Sequence, residues 1–169
     1  MEHYQKKRRI GVRDLTTAGI IAALYVVLTL LSAQFGLSGT NVIHVRVSEA
    51  LTILPYFSAA AIPGLTLGCL LANLLTSGVM IWDVLFGTLA TLLGAVGTYL
   101  LRRWKWLAPV PPIVANTLIV PFVLAYGYDV SDSVPFLMLT VGAGEVLSCG
   151  VLGMALLFLL SRNGTLFKS

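Results

Sequence analysis

Long apolar runs, each bounded by a few polar, glycine or proline residues, follow one another along almost the whole chain. A helix needs about 20 mostly apolar residues to cross the hydrocarbon core of a bilayer, and several of these runs approach that length. They cover residues 14–34, 44–58, 61–76, 82–101, 108–126 and 134–161. The pattern predicts an all-α integral membrane protein, a compact bundle of six transmembrane helices.

Composition agrees with a membrane protein and disagrees with a soluble one. Of the 169 residues, 57% are apolar and 11% are charged, whereas a soluble domain carries about 25% charged residues. The six predicted spans occupy residues 14–161, with a basic tail at residues 1–13 and a short second tail at residues 162–169. We therefore expect one membrane domain and no separate soluble domain.

The basic residues predict the orientation of the bundle. Cytoplasmic loops of membrane proteins carry an excess of Lys and Arg. If residues 44–58 and 61–76 form two separate spans, ten of the eleven basic residues fall on one side, in the two tails and in the loop at residues 102–105. The exception is Arg46. Both termini are therefore expected in the cytoplasm, and the net charge of +4 does not indicate nucleic-acid binding.

Carboxylates inside the predicted spans are the clearest candidates for ligand binding. A charged side chain at the centre of a membrane helix costs about 2.5–3.5 kcal/mol by insertion scales, so it faces a cavity or a partner. Glu145 lies well inside the last span, and Glu49 shares one face of the second span with Thr52 and Tyr56. For Glu145 we favour ligand contact, with a bond to a neighbouring helix as the alternative.

Other polar side chains have structural explanations that are equally good. Arg46 precedes a carboxylate by three residues, so the two can neutralise each other. Asn73 and Asn116 suit either a ligand or a hydrogen bond between helices. Trp82 opens the fourth span, at a position where indoles anchor to the membrane interface.

Small residues recur at helical spacing in two of the predicted spans. Such residues let helix backbones approach closely in lipid. In the first span they are Ala18 and Ala22. In the fourth span they are Gly87, Thr91, Gly94 and Thr98. Packing inside the bundle explains both stripes, and the alanine stripe suits the helix of a partner protein equally well.

No catalytic or metal-binding motif accompanies these residues. The sequence contains no HExxH, GxSxG or P-loop pattern, and Cys69 and Cys149 each lie alone in an apolar run, as packing residues do. We expect no enzyme, no metal site and no cofactor. A polar pocket with Glu49, Asn73 and Glu145, open to the outside, suits a planar solute rich in hydrogen-bond donors.

Four segments occur in a specific order along the chain: HVRVSEALTILPYF, AIPGLTLGCLLANLL, WDVLFGTLATLLGA and VGAGEVLSCGVLG. In them the chain resembles the QueT family, over about residues 14–161. Members are substrate-binding (S) components of energy-coupling factor (ECF) transporters for queuosine precursors. The resemblance implies a bacterial plasma-membrane protein with six helices and cytoplasmic termini. It also implies assembly with a transmembrane coupling subunit and two cytoplasmic ATPases, which hydrolyse the ATP.

The same resemblance implies roles for individual residues. Ala18 and Ala22 are similar to the AxxxA element with which S components dock on the coupling subunit. The implied solutes are 7-deazaguanines, such as 7-cyano-7-deazaguanine and its aminomethyl relative, with Glu145 at the base edge, Glu49 at the amine and Trp82 stacked on the ring. The other predicted contacts are Arg46, Asn73 and Asn116. His44, in the longer loop before the second span, has no assigned role.

Three alternatives stay open at this point. They are a stand-alone small-molecule carrier or channel, an S component for a different vitamin-like solute, and a membrane-embedded enzyme. The sequence also does not decide between the cyano and aminomethyl solutes.

Overall fold

The computed structural model describes residues 11–35, 45–76, 81–127 and 132–162, and their regular structure is helical throughout. The α-helices are α1 (Val12–Gln34), α2 (Ala61–Thr76), α3 (Ile81–Leu100), α4 (Val110–Gly127), α5 (Val134–Glu145) and α6 (Gly153–Arg162). A 3₁₀ helix, Val47–Tyr56, lies between α1 and α2, and a short 3₁₀ turn, Lys105–Leu107, precedes α4. A π-helical segment, Val146–Leu152, joins α5 to α6.

Four of the described helical stretches are long and apolar enough to cross a bilayer: Val12–Gln34, Ile81–Leu100, Lys105–Gly127 and Val134–Arg162. Helix α2 is apolar but has 16 residues. The helices predicted from these five apolar runs are therefore confirmed, and the chain is an all-helical membrane protein. The cytoplasmic location of the termini stays a prediction. Most of the basic tail, residues 1–10, and His44 lie outside the described residues.

The predicted second span, residues 44–58, is not confirmed as a spanning helix. The structure has a 3₁₀ helix of 10 residues there, buried from Ser48 to Pro55, and about 2.0 Å of rise per residue makes it roughly 20 Å long. It contacts α1, α3, α6 and the π-helical segment, so protein rather than lipid surrounds it. Pro55 offers no backbone N–H to an α-helical ladder. The count of six spanning helices is thus not confirmed.

Helices α1 and α2 pack closely through small residues. A methyl group on Gly64 would lie 3.0 Å from the Cα of Ala18, and one on Gly68 would lie 3.0 Å from the Cα of Ala22. Both alanines are buried in this contact. The structure therefore uses the alanine stripe of α1 for packing inside the chain, which was one of the two explanations left open. A partner interface at these two residues stays a prediction.

Helices α3 and α4 meet in a similar way. All four members of the small-residue stripe predicted on α3 are buried. At Gly94 an added methyl group would lie 2.7 Å from the Cα of Pro112, and the hydroxyl of Thr98 donates to the carbonyl of Ala108 at 2.9 Å. The proline-rich start of α4 is thereby fixed against the bare backbone of α3.

Gly68→Ala is expected to lower the free energy of unfolding by about 1–3 kcal/mol, because the new methyl group would overpack the contact between α1 and α2. It would lie 2.8 Å from the Cβ of Tyr25. Thermal unfolding of the purified protein in detergent measures the effect. The matched control is Gly19→Ala, at a position with no atom within 4 Å of the added methyl group. Equal melting temperatures for the two variants would contradict the close packing.

Candidate functional site

The predicted site residues separate into buried and exposed members. Glu49, Asn73, Asn116 and Glu145 are all more than nine-tenths buried. Arg46, at the start of the 3₁₀ helix, is half-buried. The side chain of Trp82 is 52% exposed. The residues predicted from their cost inside a membrane are therefore the ones that the fold encloses.

Glu49 lies in the 3₁₀ helix and contacts α1. Its Oε1 accepts a short hydrogen bond from the hydroxyl of Tyr25. Its Oε2 is buried and has no hydrogen-bond partner among the described residues. A buried acceptor without a partner costs about 1–3 kcal/mol, so this oxygen is a position at which a donor from a ligand would be stabilised.

Tyr25 is a site residue that the sequence interpretation missed. It lies on a buried stripe of α1 made of small and hydroxyl-bearing side chains: Ala18, Ala22, Tyr25, Thr29 and Ser32. Thr29 donates to the hydroxyl of Ser48 at 2.8 Å, and Ser32 accepts from the backbone N–H of Val47 at 3.3 Å. Hydroxyl groups at a spacing of three to four residues, in a helix otherwise rich in Leu and Val, are the signal that would have identified this face.

Glu145 ends α5, where the π-helical segment begins. The Sγ of Cys149 lies 3.2 Å from Oε2 of Glu145 and 3.4 Å from the backbone carbonyl of Glu49. Asn116, on α4, lies within hydrogen-bonding reach of the Glu145 carboxyl group. The sequence suggested that Cys149 was a packing residue, whereas the structure places its thiol between two acidic residues. Single π-helical turns recur at functional sites.

One carboxylate oxygen of Glu49, one carboxylate oxygen of Glu145 and the Sγ of Cys149 lie within 4.8 Å of one another, and all three residues are buried. We call these three residues the carboxylate cluster. Two carboxyl groups this close in an apolar interior repel each other when ionised unless a cation or a set of hydrogen-bond donors lies between them. A cationic or donor-rich group between the two carboxyl groups would relieve this repulsion, which makes the cluster a candidate binding site. The sequence analysis predicted no metal site.

A second group of polar side chains extends from the start of the 3₁₀ helix. Arg46 Nη2 donates to Asn73 Oδ1 at 3.0 Å, and Asn73 Nδ2 donates to the backbone carbonyl of Asp83 at 3.3 Å. Gly87 makes this possible, because a methyl group there would lie 2.8 Å from Asn73 Nδ2. Asn73 thus forms the hydrogen bonds between segments that were one of its two predicted explanations.

Trp82 lines a different part of the molecule, a groove between α3 and α4. The groove has a volume of about 470 Å³, and its lining is Trp82, Phe86, Leu118, Ile119, Phe122, Val123, Tyr126 and Gly127. Trp82 stacks on Phe86 with ring centroids 6.0 Å apart. Trp82 lines this groove, whereas the other five residues predicted for the site are not among its lining residues. The predicted role of Trp82 in stacking on a solute therefore stays a prediction.

Long apolar helices around an enclosed polar cluster define the class: a multi-pass helical membrane protein with a buried acidic site. The sequence profile of the QueT transporter family matches residues 15–162. A curated relative, the queuosine precursor transporter QueT of Lactococcus lactis subsp. cremoris (strain MG1363), is 38% identical over 94 residues. The chain therefore belongs to the QueT transporter family, and the resemblance seen in its motifs is confirmed.

The alignment with the Lactococcus lactis relative has a limited extent. It covers 54% of this chain and 53% of the relative, so the chain spans about half the length of the curated protein it matches. No solved structure matches the chain. Family membership follows from the profile match over residues 15–162.

Tyr25→Phe is expected to lower the free energy of unfolding by about 1–3 kcal/mol, because it removes the hydrogen bond to a buried carboxyl oxygen without changing the packing volume. Thermal unfolding in detergent measures the change. The matched control is Tyr126→Phe, at an exposed position, which should leave the melting temperature unchanged. If both variants have the same melting temperature as the unmodified protein, the Tyr25–Glu49 hydrogen bond contributes nothing to stability.

Proposed function

We propose that this chain is the substrate-binding component of an ATP-driven ECF-type importer, and that it captures a queuosine precursor from outside the cell. The solute would be a 7-deazaguanine such as the cyano or aminomethyl form. Membership of a transporter family supports this assignment, as does the similarity to the queuosine precursor transporter of Lactococcus lactis. The observation that carries it is the carboxylate cluster, which meets the chemistry of such a solute.

A 7-deazaguanine has a guanine-like edge with ring N–H and amino donors. A carboxylate accepts two parallel N–H bonds in fork geometry. Glu49 and Glu145 are the acceptors that the fold encloses, and Asn116 adds an amide beside Glu145. Arg46 and Asn73 form the adjoining polar group. These five side chains are the proposed solute contacts. Stacking of Trp82 on the solute stays a prediction, because Trp82 lines the separate apolar groove.

The energy for import would come from partner subunits. The sequence has no P-loop, so this chain has no recognisable site of its own for ATP hydrolysis. We propose a transmembrane coupling subunit and two cytoplasmic ATPases as its partners, and a bacterial plasma membrane with both termini inside as its location. The stand-alone carrier is the competing function, because a small helical bundle with a buried polar site is compatible with either.

Glu145→Gln is expected to weaken binding of a 7-deazaguanine by more than tenfold, because charge-assisted hydrogen bonds contribute about 1.5–3 kcal/mol. Isothermal titration of the purified chain in detergent gives the dissociation constant. Asp132→Asn removes the same charge at an exposed position and should leave the constant unchanged. A Glu145→Gln variant that is folded and binds with unchanged affinity would reject the assigned role.

Variants of α1 test whether the coupling subunit docks on this helix. Ala18→Trp would collide with α2, since a methyl group on Gly64 already approaches Ala18 to 3.0 Å, so loss of both binding and uptake would report misfolding. Gly19→Trp instead alters the exposed face of α1. It should abolish uptake of labelled solute in cells with the coupling subunit and ATPases while binding to the isolated chain is retained. Leu139→Trp, on exposed α5 surface, is the control.

Two outcomes of the uptake experiment contradict the proposal. If uptake persists when the ATPases are inactivated, the chain acts as a stand-alone carrier. If Gly19→Trp transports at the full rate, this face of α1 does not dock on the coupling subunit.

A further inference from the structure

We propose that Glu49 and Glu145 together bind the ammonium group of an aminomethyl-substituted 7-deazaguanine, so that the site selects this cationic precursor over its neutral cyano form. The inference rests on the proposed function and adds to it the charge of the solute. It also revises the expectation that the two carboxylates contact different ends of the ring system.

The spacing of the two carboxyl groups favours one shared nitrogen. One carboxylate oxygen of Glu49 and one of Glu145 lie within 4.8 Å of each other. A charge-assisted N–H···O bond is about 2.7–2.9 Å long, so one ammonium between two oxygens spans up to about 5.8 Å. The amine and the base edge of the solute lie on different sides of its bicyclic ring. Two oxygens this close cannot bracket the whole ring, whereas they fit a single ammonium.

The hydrogen bonds of the two carboxyl groups leave Oε2 of Glu49 as an acceptor for the ammonium nitrogen. Glu49 is 2% exposed; its Oε1 accepts from Tyr25, and its Oε2 has no partner in the described parts of the chain. Glu145 contacts the Cys149 thiol and the Asn116 amide, both neutral groups. The cluster therefore has an acceptor position that its own side chains do not fill.

The charges around the cluster point in the same direction. Arg46 interacts electrostatically with Glu49 and with Asp83, and its guanidinium donates to Asn73. Arg46 also interacts electrostatically with Glu145. In a low-dielectric interior, two ionised carboxyl groups as close as those of Glu49 and Glu145 are stabilised by a cation between them. A bound ammonium supplies that charge together with three N–H donors.

The cyano form offers the opposite chemistry at the same position. A nitrile is neutral and is a hydrogen-bond acceptor, so its nitrogen would face the unpaired Oε2 of Glu49 without a proton between them. A site built around buried acceptors discriminates strongly against an analogue that lacks the donor, because the buried groups stay unpaired. The preference for the aminomethyl form follows from this difference.

The test compares aminomethyl- and cyano-7-deazaguanine by isothermal titration on the full chain in detergent, with and without Glu49→Gln. The unmodified chain should bind the aminomethyl form at least tenfold more tightly. Glutamine keeps an oxygen for the Tyr25 hydroxyl but removes the charge. The variant should therefore lose more than tenfold for the aminomethyl form and less than threefold for the cyano form. Asp132→Asn, which is exposed, should keep the preference of the unmodified chain.

A second measurement does not depend on the variant folding. Hydroxymethyl-7-deazaguanine has nearly the shape of the aminomethyl form but no charge, and the unmodified chain should bind it more than tenfold more weakly. Equal affinity for the charged and neutral solutes, or tighter binding of the cyano form, would overturn the inference while leaving the proposed function in place. If none of the three solutes binds, the proposed function itself fails.

A metal ion is the competing occupant of the carboxylate cluster. Elemental analysis of chain purified without chelators distinguishes it. One equivalent of a divalent metal that is lost in Glu49→Gln, with no change in affinity for the aminomethyl solute, would overturn the inference. Metal-free protein with the expected solute preference supports it.

Discussion

The burial of two carboxyl groups among apolar helices is the constraint from which the rest of the structure follows. A carboxylate inside a bundle of this kind needs hydrogen bonds or a counter-charge. Glu49 receives one from Tyr25 on α1, and Glu145 has the thiol of Cys149 beside it and the amide of Asn116 within reach on α4. Each partner lies on a different helical segment. The acidic groups therefore link the 3₁₀ helix to α1 and the end of α5 to α4.

The short segment around the 3₁₀ helix contributes side chains both to the carboxylate cluster and to the polar group around Asn73. Side chains three residues apart lie almost directly above one another in such a helix, so Glu49 and Thr52 share one face, and Arg46 immediately precedes the helix in an extended conformation. Arg46 reaches Asn73, and Thr52 lies 3.4 Å from the Cys149 thiol. Thr52 also donates to the backbone carbonyl of Glu49 at 2.6 Å. An α-helix, with its larger number of residues per turn, would rotate Glu49 and Thr52 away from a common line.

Most of the helices could be predicted from the sequence, but the geometry of the site could not. Length and apolarity predicted α2 at its observed bounds, and the cost of a charge in a membrane identified Glu145. The 3₁₀ helix escaped prediction because an apolar run enclosed by protein has no lipid-facing side to reveal its periodicity. Tyr25 and Cys149 escaped for another reason: each is unremarkable in an apolar helix, and its role exists only when distant segments meet. The distance between Glu49 and Glu145 depends on the same tertiary contacts.

The unequal lengths of the helices have a consequence for the surrounding lipid. The stretch Val134–Arg162 has 29 residues and, at about 1.5 Å per residue, is roughly 40 Å long, well beyond a hydrocarbon core of about 30 Å. Helix α2, with 16 residues, is roughly 24 Å long and falls short of that thickness. Both cannot match a flat bilayer at once. Hydrophobic mismatch of this kind is relieved by tilting the long helix and thinning the membrane beside the short one, so we expect the lipid around the protein to be uneven in thickness.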